Sequence, residues 1–207
     1  MTRILSIDPG IVGCGWAVFE TGPLQPVAAG CLRTAKRTRK TTVRVADDDA
    51  RRVADLFRGL LRIARDHLAA GLVAELPSGG AQGARANRCM GMASALVVCL
   101  AEALELPTEW ITPGEVRKAA EQARSKNEVQ RYVLARWPWF ARVAPGWPAA
   151  EWEHVADAAA AAAAAEHGRL VRTLTRRTTP LRTRDTTQVA EAPTAVGVNM
   201  PDLRQHH

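Results

Sequence analysis

Three acidic side chains and one histidine are the strongest candidates for chemistry in this sequence. Asp8 ends one apolar run that is typical of a β-strand, and Glu75 ends another. His154 and Asp157 stand three residues apart in an alanine-rich stretch of high helix propensity, so both lie on one helical face. Strand ends and a helix face can converge, and the four residues therefore predict one site.

The chemistry of this donor set favours metal-dependent hydrolysis. Carboxylate oxygens suit Mg²⁺ or Mn²⁺, and one histidine shifts the preference towards Mn²⁺ without excluding Mg²⁺. Two such ions about 4 Å apart activate a water, neutralise a phosphate and stabilise the leaving oxygen in phosphodiester hydrolysis. A zinc hydrolase would use more nitrogen or sulfur ligands.

Each of the four residues also has an ordinary structural interpretation. Asp8 precedes a Pro-Gly pair and could be a turn aspartate, and Glu75 could be a surface glutamate at a strand end. His154 and Asp157 could stand in the first turns of a helix for capping reasons. The combination favours function, because an acidic group that ends a buried strand is costly unless it is paired or bound to a metal.

Composition limits the class of protein and of partner. The 207 residues suffice for one large domain and an extension, and 47% hydrophobic with 24% charged residues is ordinary for a folded protein. Since 28 Lys and Arg oppose 21 Asp and Glu, the net charge of +7 favours a polyanionic partner. Without a run of about 18 apolar residues or a signal-peptide core, we expect a cytoplasmic protein and no membrane partner. The four cysteines lack a Cys-x-x-Cys pair and are interpreted as small core residues.

The elements that must position the site alternate between strand and helix. Strands are predicted at 3–8, 13–20, 26–33, 72–75 and 108–112. Helices are predicted over about 50–70, ended by Gly71, over about 88–104, from Pro113, from a Ser125–Glu128 capping box to Arg136, and over about 150–167. This order predicts an α/β fold with a five-stranded mixed sheet over residues 1–168. Residues 169–207, rich in arginine and threonine, are predicted to form a disordered basic tail.

Four motifs on these elements, taken together, resemble RuvC-type Holliday junction resolvases of the ribonuclease-H-like superfamily. They are Ile7-Asp8-Pro9-Gly10 with Gly13 and Gly15, Val73-Ala74-Glu75, Ser125-Lys126-Asn127-Glu128-Val129-Gln130 and His154-Val155-Ala156-Asp157-Ala158. Each motif alone is common, but their order and spacing over about residues 3 to 168 are fairly specific. The resemblance implies a ribonuclease-H-like fold with helices flanking the sheet.

The same resemblance implies an activity and a set of roles. The four candidate ligands fall on a catalytic quartet that binds two Mg²⁺ or Mn²⁺ ions, with aspartate in many members, and histidine in some, at the position of His154. Lys126 falls on a lysine that contacts the scissile-strand phosphate, and Arg117 or Lys118 falls on a second basic position. The implied protein is an endonuclease that cuts four-way DNA junctions by paired symmetric incisions. The approximate two-fold symmetry of such a junction favours a homodimer.

The chain departs from the family pattern in several places. Bacterial relatives carry an aromatic wedge three residues beyond the glutamate, where this chain has Ser78. The segment between the two basic positions is shorter, which leaves Arg117 and Lys118 as alternatives. The basic tail has no recognised counterpart, and the divergence is more typical of a phage enzyme than of a housekeeping one.

Further basic and aromatic side chains could contact DNA. The basic candidates for lining a DNA path are Arg37, Arg39, Lys40, Arg85 and Arg88. A solvated basic surface is the alternative for each of them. Tryptophans between 137 and 152 could stack on unpaired bases, although packing in the core or in a dimer is the favoured interpretation.

Three other functions are compatible with parts of the sequence. Another ribonuclease-H-like nuclease could act on flaps or RNA–DNA hybrids. An actin- or sugar-kinase-type ATPase also begins with aspartate and glycine after a first strand, but it needs a longer chain and a second Asp-x-Gly loop. A non-catalytic DNA-binding module is compatible with the basic tail and disfavoured by the four ligand-type residues.

Overall fold

A mixed β-sheet forms the centre of the molecule. The computed structural model describes residues 2–37, 44–77 and 83–178, and within them the sheet has five strands in the order β3-β2-β1-β4-β5. The strands are β1 Arg3–Asp8, β2 Gly13–Glu20, β3 Gln25–Arg33, β4 Ala69–Glu75 and β5 Thr108–Ile111. β1, β2 and β3 form an antiparallel meander, while β4 runs parallel to both β1 and β5. The predicted fold class is confirmed.

Helices cover both faces of this sheet. They are α1 Val45–Asp66, α2 Ala84–Leu104, α3 Pro113–Ala119, α4 Lys126–Arg136, α5 Pro138–Val143, α6 Ala149–Ala165 and α7 Arg169–Thr178. Strand alternation divides the core, since Ile4 packs with the α6 layer and Leu5 and Ile7 pack with α1 and α2. On the α6 side, Ser6 Oγ donates to the carbonyl oxygen of Ala158 at 2.6 Å. Even-numbered positions of β1 therefore face α6.

The boundary between α1 and β4 differs from the sequence prediction. The sequence predicts a helix that runs to about residue 70 and is ended by Gly71. In the structure α1 ends at Asp66, and Gly71 lies inside β4. A Cβ atom on Gly71 would lie 3.1 Å from methyl groups of both Leu170 and Leu174. This glycine therefore serves close packing in a strand, and Leu68, at a φ of 53°, makes the turn instead.

The predicted disordered tail begins with an ordered helix. Residues 169–178 form α7, in which Leu170, Val171 and Leu174 are buried. The Glu109 carboxylate on β5 caps this helix, accepting hydrogen bonds from the backbone N–H groups of Arg169 at 3.3 Å and Leu170 at 2.9 Å. The prediction was therefore wrong for 169–178, and residues 179–207 lie outside the described residues.

Two smaller predictions need correction. Ser125 caps α4 by accepting from the N–H of Glu128, but the Glu128 carboxylate accepts from the N–H of Arg124 instead of closing the box. Of the four cysteines, Cys14 is buried, whereas Cys99 is exposed. The interpretation of all four as core residues was wrong for Cys99.

The tryptophans between 137 and 152 pack in the α6 layer. Trp137 and Trp152 are buried in one aromatic cluster with Phe19 and Phe140. Trp137 Nε1 donates to the Leu24 carbonyl oxygen at 2.8 Å, so its polar atom is satisfied inside the protein. The favoured core interpretation is therefore confirmed for Trp137 and Trp152.

Helix α2 is unusually apolar for its degree of burial. By length and composition it could span a membrane, with a mean hydropathy of 1.3 over an 18-residue window of which 28% is buried. A single such helix is weak evidence for a membrane protein, because core helices meet the same criterion. Leu96, Val97 and Leu100 pack towards the sheet, whereas Val98 is 50% exposed.

Candidate active site

The first half of the site lies where β1 and β4 end. These strands are parallel neighbours in which Ile7 pairs with Ala74, so Asp8 and Glu75 follow at the same edge of the sheet. Alternation places Asp8 on the same face as Ser6, and Glu75 on the same face as Val73. Both carboxylates therefore face the layer that contains α6.

The second half comes from α6, which approaches β2 very closely. Gly13 and Gly15 lie on the α6 side of β2, and a Cβ atom on Gly15 would stand only 1.9 Å from the carbonyl oxygen of His154. A Cβ atom on Gly13 would lie 2.7 Å from His154 Cδ2. Gly15 also pairs with Asp8 across the sheet. The two glycines thus let α6 place His154 beside Asp8.

A hydrogen bond joins the two halves of the site. His154 Nδ1 lies 2.7 Å from Asp8 Oδ2, at the distance of a charge-assisted bond in which the ring donates to the carboxylate. This bond, with smaller contributions from nearby carboxylates, raises the pKa of His154. When Nδ1 carries the proton, Nε2 of the neutral ring keeps the lone pair that a ligand needs.

Burial and crowding perturb the other two carboxylates. Burial, followed by the negative charges of Asp8 and Asp157, raises the pKa of Glu75 to about 8. Burial, followed by the charge of Asp8, raises the pKa of Asp157 to about 7. Burial thus disfavours the charged form of both carboxyl groups, and the neighbouring negative charges add to that effect. The arrangement therefore favours binding of a cation.

The donor set fits a hard divalent cation. It offers three carboxylates and one imidazole, and a bound cation would favour the charged forms of Glu75 and Asp157, which burial and neighbouring negative charges disfavour. Within the described residues, no three His, Cys, Asp or Glu side chains are already gathered closely enough to hold a metal ion. The types of donor atom thus suit Mg²⁺ or Mn²⁺, whereas the side chains of the described residues do not yet lie close enough together to hold an ion.

Two basic side chains lie within electrostatic reach of this site. Lys126, the first residue of α4, lowers the pKa values of both Glu75 and Asp157 with its charge, and its Nζ pairs with Glu153 Oε1 on α6. Arg117, in the last turn of α3, also lowers the pKa of Glu75. This effect favours Arg117 over Lys118 as the second basic position. Glu153 itself was missed at the sequence level.

Two other predicted DNA ligands are held by a buried carboxylate. Arg85 and Arg88 pair with the fully buried Asp49 at 2.8 Å and 3.1 Å, although both arginine side chains remain 44% exposed. They therefore join α2 to α1, and contact with DNA stays a prediction. Arg37 is exposed. Ser78, Arg39 and Lys40 lie outside the described residues.

The same buried carboxylate supports the loop that follows Asp8. Arg52, only 3% exposed, lies 3.5 Å from Asp49 and donates to the carbonyl oxygen of Ile11 at 3.2 Å and to Thr34 Oγ1 at 2.8 Å. This cluster is not evident from the sequence. Its only local signal is the i, i+3 spacing of Asp49 and Arg52, while Arg85 and Arg88 come from a distant helix.

The sheet order and the strand-end site define a ribonuclease-H-like fold. One similar solved structure is a T. thermophilus RuvC in complex with a Holliday junction substrate, which is 19% identical in sequence, with a TM-score of 0.62 over 84% of this chain and 98% of that chain. A further Thermus thermophilus RuvC structure is 21% identical, with a TM-score of 0.60 over 81% of this chain and 96% of that chain. The yeast mitochondrial Holliday junction resolvase Ydc2 is also similar, at 12% sequence identity, with a TM-score of 0.54 over 85% of this chain and 82% of that chain. No family model and no curated protein matches the chain. The likeness in fold agrees with the resemblance seen in the sequence motifs.

Proposed function

We propose that this protein is a metal-dependent endonuclease that resolves four-way DNA junctions by paired symmetric hydrolysis of phosphodiester bonds. The observation that carries the proposal is the His154–Asp8 contact at the strand edge where Glu75 also ends. This contact joins one ligand-type residue of the sheet to one of α6, on a fold shared with RuvC, one structure of which is described as a complex with junction DNA.

The chain's own residues have distinct roles in this proposal. Asp8, Glu75, His154 and Asp157 would hold two Mg²⁺ or Mn²⁺ ions, which when bound supply a nucleophilic water and neutralise charge on the phosphate. The hydrogen bond from His154 orients the Asp8 carboxylate. The positive charge of Lys126 binds the scissile phosphate and stabilises the extra negative charge of the transition state.

We also propose that the active form is a homodimer that uses the α1–α2 face. An apolar groove of about 510 Å³ lies there, and its apolar lining includes Val53, Phe57, Met92, Ala95, Leu96 and Cys99. The occupant we propose is a second copy of the chain, because a junction with two-fold symmetry needs two related sites. The large exposed fraction of apolar α2 supports this choice.

Introducing charge into this groove tests the dimer. Ala95 is exposed in the isolated chain, so Ala95→Glu should fold normally yet give monomers in sedimentation, whereas Ala95→Ser should dimerise like wild type. The monomer should lose the coordination of the two incisions. A wild-type protein that sediments as a monomer while bound to a junction would contradict the proposal.

A panel of labelled substrates tests the function itself. Wild type should cut a four-way junction at symmetric positions only with Mg²⁺ or Mn²⁺, and should cut a Y-fork, an RNA–DNA hybrid and linear duplex much more slowly. Asp8→Asn keeps the shape but removes the charge, so it should bind the junction and fail to cut it. Cleavage of the Y-fork or the RNA–DNA hybrid faster than the four-way junction would support one of the alternative nucleases. Junction binding by wild type without any cleavage would support a non-catalytic DNA-binding module. A cytoplasmic location and a phage origin stay predictions from the sequence.

A further inference from the structure

The ion pair between Lys126 and Glu153 has no part in the roles assigned above. Lys126 Nζ contacts Glu153 Oε1 across the gap between α4 and α6. The Lys126 side chain is 65% exposed and that of Glu153 is 33% exposed, so solvent and ligands can reach the pair. Exposed pairs of this kind contribute little to stability and exchange partners easily.

Glu153 stands at the margin of the metal-ligand cluster. It precedes His154 and lies one helical turn before Asp157, which places it on the Asp157 side of α6. Its negative charge contributes to the raised pKa values of both His154 and Asp157. The Glu153 carboxylate therefore adds negative charge at the place where a DNA phosphate has to bind.

Lys126, the partner of Glu153, is the cation best placed to bind that phosphate. Lys126 acts electrostatically on Glu75 and Asp157, and the hydrogen bond to Glu153 is the main cause of its own raised pKa. An ammonium group is a compact point charge that binds a carboxylate or a phosphate oxygen alike. The Glu153 carboxylate that binds Lys126 thus resembles a DNA phosphate in its negative charge and in its capacity to accept hydrogen bonds.

We infer that Glu153 is a positioning residue that holds Lys126 beside the site in the free protein, and that a DNA phosphate oxygen replaces its carboxylate when substrate binds. This inference rests on the proposed function. The exchange has a cost in affinity, because the released Glu153 carboxylate faces the phosphate and takes up a cation from solution. That uptake offsets the counterion release on which phosphate binding depends.

The substitution Glu153→Gln removes this competition without changing the shape of the side chain. Binding to a four-way junction would be measured without divalent metal over a series of salt concentrations. We expect tighter binding by about three- to tenfold, and a plot of log affinity against log salt that is steeper by about 0.9, the value for one additional net phosphate contact.

Two further variants make the result specific. Glu151→Gln makes the same charge change two residues earlier on α6, where the carboxylate faces Arg33 at 3.7 Å, and should change the salt slope far less. In a Lys126→Ala background, Glu153→Gln should lose most of its effect on affinity, because the two residues act through one contact. Thermal melts of every variant would report folding.

The outcomes separate this inference from the proposed function. If wild type cuts junctions but Glu153→Gln leaves the salt slope unchanged, or changes it no more than Glu151→Gln does, the exchange is refuted and the function stands. Weaker junction binding by folded Glu153→Gln would also refute it. If wild type binds no DNA, both the function and the exchange are refuted.

Discussion

Replacing Gly15 by alanine tests whether the close approach of α6 to β2 sets the geometry of the site. The added Cβ would stand 1.9 Å from the His154 carbonyl oxygen, whereas a van der Waals contact needs about 3.4 Å, so α6 and β2 must separate by about 1.5 Å. The obstacle is backbone, which cannot rotate away. A separation of that size breaks the 2.7 Å bond between His154 and Asp8.

The expected losses follow from this displacement. A misplacement of about 1 Å in a catalytic group costs about 100-fold in rate, and overpacking of this kind costs about 1–3 kcal/mol in the free energy of unfolding. Single-turnover cleavage and urea denaturation measure the two effects. Junction binding without metal should change by less than about threefold, because phosphate contacts by lysine and arginine dominate affinity.

A matched substitution gives the control. Gly91 lies on α2 with open space where a Cβ would be built, so Gly91→Ala should stabilise the protein by about 0.5–1 kcal/mol through helix propensity and leave cleavage unchanged. If Gly15→Ala kept wild-type stability and cut within about threefold of the wild-type rate, the close approach would not determine the position of His154.

Three further predictions concern charge and the C-terminus. Lys126→Ala should slow single-turnover cleavage by a factor equivalent to about 2–4 kcal/mol while weakening binding less, because its charge acts mainly in the transition state. Hydrogen bonds from Arg85 and Arg88 lower the pKa of Asp49 from its ordinary value of 3.8. The charged Asp49 carboxylate therefore stabilises the folded protein above pH 3.8, and this stabilisation is lost as the pH falls through the lower pKa of the folded state. Asp49→Ala should therefore destabilise the protein at pH 7 by about 3–5 kcal/mol, because the buried Arg52 loses its carboxylate partner, and should flatten acid unfolding below pH 4 in urea titrations. Deletion of 179–207 should leave stability unchanged and make DNA binding weaker and less salt-sensitive, whereas deletion of 169–207 should also lower the melting temperature by exposing the surface that α7 covers.

The sequence was most informative where a local pattern controls the structure. Apolar runs bounded by turn residues gave β1 and β2 their correct bounds, and the ends of buried strands identified Asp8 and Glu75 as neighbours at one sheet edge. The i, i+3 spacing placed His154 and Asp157 on one face of α6. The periodicity of the strand or helix that carries each of these four site residues determines which way its side chain faces.

Prediction failed where a distant partner decides the outcome. Gly71 has the same appearance in sequence whether it ends a helix or makes room for Leu170 and Leu174, which follow about a hundred residues later. α7 has only three buried apolar residues among arginines and threonines, and its cap comes from Glu109 on another element. Glu153 was invisible as a site residue because its partner lies 27 residues earlier on another helix.

The hydrogen bond between Asp8 and His154 also has a consequence for the order of synthesis. It joins residues 146 positions apart, and the chain leaves the ribosome from its N-terminus. A nascent chain that has emerged as far as α5 holds Asp8 and Glu75 but neither ligand from α6. Under the proposed function, an unfinished chain therefore cannot cut nucleic acid, and cleavage becomes possible only when α6 docks on a sheet that has already formed.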